Sequence, residues 1–197
     1  MKKIEFIWRE ILTTALEKRQ TRFSQKELAE KFRLSTSTVF HALKKPRATG
    51  AVKINGRGFE LLNFEKLLFL WATERNLKNE IIYQTLANLP IMEIEGSMPP
   101  GVIPTAYTAY RFLFKDAPAD YDKVYFYIDD LTSIKERFPP NKKEPNIFIL
   151  KPDSYLKIYR PCPPLPQIFV DLWNLSHWYA KDYQEALLEK INERLGL

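Results

Sequence analysis

Two adjacent carboxylates, Asp129 and Asp130, close the apolar run Val124-Tyr125-Phe126-Tyr127-Ile128. Paired carboxylates at a strand end can hold Mg²⁺ for phosphoryl-transfer or nuclease chemistry. Such chemistry needs further groups. A nucleotidyltransferase places a Gly-Ser phosphate-binding turn shortly before its carboxylates, and none precedes Asp129. A nuclease of the Asp…Glu-x-Lys type needs Glu two residues before Lys, and Glu136-Arg137-Phe138 ends in Phe instead. The competing role is structural, with Asp130 capping a helix that begins at Leu131. His41 and His177 are the only histidines and fall in separate regions, so a His-based triad or metal site is not expected. Cys162, the single cysteine, sits among prolines as a loop residue, which leaves no intramolecular disulfide or thiolate cluster. The expectation is no catalytic residue, no metal and no cofactor. The alternatives are a metal-dependent enzyme acting on nucleotides or nucleic acid through Asp129 and Asp130, and a protein-interaction module.

A second set of residues suits nucleic acid better. Thr36, Ser37, Thr38 and His41 carry donors and acceptors for base edges, and Lys44, Lys45, Arg47, Lys53 and Arg57 carry charge for phosphates. The elements that position them are legible. Ser24 before Gln25-Lys26-Glu27 forms a capping box at a helix start. Leu28, Ala29 and Phe32 recur on one helical face, Arg33-Leu34-Ser35 interrupts, and Thr36 to Lys44 resumes the helix with Val39 and Leu43 inward. Pro46 is expected to end that helix. Ala51-Val52-Lys53-Ile54 and Gly58 to Leu62 then flank Asn55-Gly56-Arg57, a strong hairpin signal that puts Lys53 and Arg57 on or near the tip and adds Asn55 to the DNA-facing set. Ile4, Ile7, Trp8, Ile11, Leu12, Ala15 and Leu16 form the stripe of a preceding helix, which could also offer a homodimer face. Helices followed by a basic two-stranded wing resemble a winged helix-turn-helix, although Arg33 stands where many members place Gly.

Charge follows the same division. Through Phe64 the chain carries 14 Lys and Arg against 6 Asp and Glu, a net of +8, while the remainder carries 16 against 18, a net of −2. Cations gathered on one small domain are what counterion release from double-stranded DNA rewards.

At 197 residues and 45% hydrophobic content the chain is long enough for two modest cores. No apolar run reaches the length of a membrane span, and Arg9 and Glu10 break the amino-terminal stretch as a signal peptide, so a cytoplasmic location is expected. Asn63 caps a further helix from Phe64 to about Arg75. The expected division is 1–75 for the winged domain and its trailing helix, and 76–197 for a mixed α+β domain. Within the latter, Ile81 to Leu89 reads as helix or strand, and Thr105 to Phe114, Leu131 to Phe138, Ile168 to Trp173 and Asp182 to Leu195 as helices. Val124 to Ile128, Asn146 to Leu150 and Tyr155 to Tyr159 read as strands. The Tyr and Phe spacing there fits core packing better than a base-stacking platform.

Pro104-Thr105-Ala106-Tyr107-Thr108-Ala109-Tyr110, Val124 to Asp130, Asn146 to Asp153 and Leu165 to Leu172 occur in series, after Leu67-Leu68-Phe69-Leu70-Trp71-Ala72. In order and spacing they resemble the AbiEi-like family of transcriptional regulators, the antitoxins of type IV toxin-antitoxin systems. The resemblance implies a winged domain that binds and represses its own operator. It also implies a second domain that opposes a nucleotidyltransferase-type toxin without a stable complex.

Overall fold

The structure, a computed structural model, describes residues 1–56 and 58–197. It is an α+β protein in two compact units, Met1–Arg75 with Pro164–Val170 and Leu188–Leu197, and Asn76–Pro163 with Asp171–Leu187. The second unit is therefore not the contiguous stretch 76–197, because the last helical stretches supply residues to both.

In the first unit α1 (Lys3–Lys18) leads to β1 (Arg22–Ser24), α2 (Gln25–Lys31), α3 (Thr36–Ala48), β2 (Val52–Asn55), β3 (Gly58–Leu61) and α4 (Phe64–Glu74). The strands form an antiparallel sheet in the order β1-β3-β2. β1 has too few residues to show an alternation in the sequence, and only Phe23 of its three is buried. Gly58 is needed where β3 passes β1, since a Cβ there would lie 2.8 Å from the Phe23 carbonyl oxygen.

α1 is buried on more than its apolar stripe. Ile7, Trp8, Ile11 and Leu12 pack inward, but Glu5, Arg9, Glu10, Thr13 and Thr14 are buried too. Glu5 Oε2 accepts from Trp71 Nε1 at 3.0 Å and pairs with Arg75 at 3.3 Å, while Arg9 donates to Gln167 Oε1 at 2.9 Å. Partnering of this kind lets charge lie inside a core. The stripe considered as a homodimer face is thus consumed by the unit's own interior.

Pro46 does not end α3, which continues to Ala48. Proline removes the N–H that would bond the carbonyl four residues back, that of Ala42. That carbonyl oxygen accepts instead from the indole Nε1 of Trp8 at 2.9 Å. The helix stops two residues later, with Gly50 at φ 73° and Ala51 N donating to Pro46 O at 2.8 Å.

The second unit contains β4 (Ile81–Thr85), α5 (Ile91–Gly96), β5 (Ile103–Thr105), α6 (Ala106–Phe114), β6 (Val124–Tyr127), α7 (Thr132–Arg137) and β7 (Ile147–Leu150). Two further helices, α8 (Leu165–Trp173) and α9 (Ala180–Leu195), begin in one unit and end in the other. The sheet order is β4-β7-β6-β5, with β6 and β7 parallel and the outer pairs antiparallel. Both central strands are buried at every residue, which explains their unbroken apolar runs. On one face Val124, Phe126, Ile147 and Ile149 pack with Ile94, Ile134 and Phe138. Tyr155 to Tyr159, expected as a strand, is instead a turn of 3-10 helix at Leu156–Tyr159. Asp153 starts the coil, its Oδ1 accepting Tyr155 N–H at 2.9 Å and its carbonyl Leu156 N–H at 3.2 Å.

Candidate functional site

α3 has two sides. Val39, Ala42, Leu43 and Pro46 are buried, while Thr36, Ser37, His41, Lys44 and Arg47 are exposed. Its start is fixed by Ser35, whose Oγ accepts Thr38 N–H at 3.1 Å. The turn before it takes the left-handed conformation at Arg33, φ 49°, where the sequence offers no glycine. Leu34 N donates to Ala29 O at 2.8 Å and closes that turn. The arrangement presents a largely polar and basic helix face to solvent.

Two of the expected residues are drawn away from this face. Thr38 is half-buried, and its Oγ1 shares a 2.9 Å hydrogen bond with Ser35 Oγ in the cap. Lys45 is ion-paired with Glu74 of α4. Lys44, Arg47 and Lys53 form no ion pair among the described residues and keep their full charge for an outside partner. Lys53 and Asn55 are exposed on β2, and Asn55 stands opposite Gly58 in the register. Gly56 has φ 59°. Arg57, expected at the hairpin tip, lies outside the described residues.

One apolar residue, not expected from the sequence, also stands on this face. Phe40 is 43% exposed on α3 and meets His41 edge-on with centroids 6.2 Å apart. Its position four residues after Thr36 and four before Lys44 was the available signal.

Both carboxylates of the pair in the second unit are engaged by neighbouring side chains. Asp129 Oδ2 pairs with Lys157 at 2.5 Å, and Asp130 Oδ1 accepts from both the backbone and the hydroxyl of Thr132 at 2.9 and 2.7 Å. Those hydrogen bonds hold the Asp130 carboxyl below its usual range. Leu131 is the N-cap of α7, so Asp130 acts one residue earlier than expected. Among the described residues no group of three His, Cys, Asp or Glu side chains converges to hold a metal. Cys162 is buried, and loss of solvent pushes its thiol up to about 12, a poor nucleophile.

His177 lies in a ring cluster with Tyr107, Tyr125 and Tyr179, its Nδ1 3.1 Å from the Tyr107 hydroxyl. Burial, then Lys123, lowers its pKa against the opposing pull of Asp122 and Glu144. Tyr107, Tyr125, Tyr179 and Tyr183 are pushed above the ordinary tyrosine range, chiefly by burial. These rings contact one another rather than forming a bare platform. Among the described residues no helix is long and apolar enough to cross a membrane.

No protein-family model, no curated protein and no solved structure matches this chain.

Proposed function

We propose that the first unit is a winged helix-turn-helix that binds double-stranded DNA in sequence-specific fashion, with α3 in the major groove and the β2–β3 hairpin along the backbone. The observation that carries this reading is the exposed face of α3, which presents Ser37, His41, Lys44 and Arg47, the last two outside any ion pair among the described residues. Thr36, Ser37 and His41 read base edges, and Lys44, Arg47 and Lys53 neutralise phosphates. The net +8 through Phe64 supports the electrostatic part. Following its resemblance to the AbiEi-like family, the protein acts in the cytoplasm as an autorepressor and as the antitoxin of a type IV system. Its counterpart is a toxin of nucleotidyltransferase type.

The test is binding to DNA upstream of its own gene, measured by fluorescence anisotropy as a function of salt. Lys44→Ala and Arg47→Ala are each expected to weaken binding to all sequences and to shallow the log–log salt slope by about one unit. Ser37→Ala is expected to narrow the gap between operator and random DNA. A flat response at low salt, or slopes identical to wild type, removes this face from any DNA interface.

A further inference from the structure

Within the second unit α5, β5, α6 and β6 enclose a cleft of about 800 Å³ that no role proposed above uses. Its size is that of a small-molecule site. Phe126 forms a buried floor, while Met92 and Phe112 stand exposed at the rim and Met98 lines the wall. Methionine and phenylalanine offer an adaptable apolar lining for a compact hydrophobic body.

The polar groups are few and fixed. Arg111 is held by Glu95, and its Nε donates to the Tyr121 hydroxyl at 2.9 Å, while that hydroxyl donates to the other Glu95 oxygen at 2.6 Å. Arg111 and Glu95 therefore cancel in charge. At the mouth Asp116 turns Oδ1 toward Ala117 N–H at 2.8 Å. Lys115, the left-handed C-cap of α6, has no carboxylate partner among the described residues, and its ammonium lies 4.8 Å from the centre of the Phe112 ring. Lys115 is therefore a cation outside any ion pair at the lip of an apolar cleft, beside Asp116, whose carboxylate is likewise outside any ion pair among the described residues. On the wall Thr108 is 6% exposed, and its hydroxyl makes no hydrogen bond. Rotation about one side-chain bond offers that hydroxyl to an occupant.

We propose that this cleft is a binding site for a small amphipathic carboxylate whose apolar body lies over Phe126 between Met92 and Phe112, with its anion against Lys115. The proposal goes beyond DNA binding and does not depend on it.

The full-length protein is titrated calorimetrically with 2-naphthoate, with 2-naphthylmethanol as the neutral control of the same ring system. Saturable one-site binding is expected, about tenfold weaker for the alcohol and about tenfold weaker for naphthoate with Lys115→Ala. Thr108→Val is expected to weaken it about threefold. Gly96 lines the cleft, and a Cβ built on it meets nothing within 4 Å, so Gly96→Trp fills the opening without a clash at its base. That variant is expected to keep the wild-type melting temperature and lose the probe. Absence of saturable binding, binding that survives Gly96→Trp, or equal affinity for acid and alcohol overturns the proposal.

Discussion

Lys45 and Glu74 show how a neighbour changes what a basic side chain offers a polyanion. Lys45 lies on the edge of the α3 face nearest α4 and is already paired with Glu74. A phosphate that recruits it must first displace a carboxylate whose own charge repels DNA. Glu74→Gln is therefore expected to tighten DNA binding severalfold at low salt and to lose that advantage as salt rises, because exposed charges are screened within a Debye length. Anisotropy titrations at two ionic strengths measure both effects. Phe40 calls for a different argument, since it is apolar on a polar face. A ring there suits the thymine C5-methyl in the major groove, the one apolar marker among base edges. Replacing operator thymines by deoxyuridine removes only that methyl. Phe40→Ala and the deoxyuridine exchange are each expected to cost about 1–2 kcal/mol of binding, and together little more than either alone. Additive losses would place the ring away from the methyl.

Among the elements, α3 owes its last turn to a residue of α1. The Ala42 carbonyl loses its helical donor to Pro46 and gains one from Trp8. Trp8→Phe is expected to leave that buried oxygen unsatisfied and to lower stability by about 1–3 kcal/mol in urea unfolding. Pro46→Ala restores an N–H at the right place, so the double variant should recover part of the loss. A strictly additive pair would mean the indole bond carries no weight. This exchange also marks the limit of what the chain reveals on reading. Ser24, Gly56 and Asn63 are local devices, and the helix starts and hairpin they set are legible because each acts within a few residues. Pro46 misleads because its compensation comes from residue 8, and the burial of Glu5 and Arg9 is hidden because their partners are Arg75 and Gln167. Tyr155 to Tyr159 alternates like a strand, yet alternation says nothing about whether a sheet edge is there to receive it. For the candidate site, residue types on α3 are readable, whereas the diversion of Thr38 into the cap and of Lys45 toward Glu74 follows from side-chain geometry. The cleft beside α6 is still less legible, assembled from four elements between Met92 and Phe126.

Across the whole molecule, charge and titration are distributed unequally. The excess of cations lies in the first 64 residues, and the DNA binding proposed for them should answer chiefly to salt. The second unit has the opposite sensitivity. His177 is half-buried among Tyr107, Tyr125 and Tyr179, and its pKa is lowered from the ordinary 6.5 by burial and Lys123. Above about 6.5 the imidazole is neutral in both folded and unfolded chains, and its contribution to stability is complete. As the pH falls through that value the unfolded chain takes up a proton that the folded chain refuses. Stability drops until the lower, folded pKa is passed, after which both states are protonated and the loss levels off. The melting temperature is therefore expected to fall between pH 7 and pH 5, and His177→Gln, which cannot charge, should flatten that limb of the profile. If the variant falls as steeply as wild type, the acid sensitivity belongs to the carboxylates, and the ring cluster tolerates an imidazolium as readily as water does.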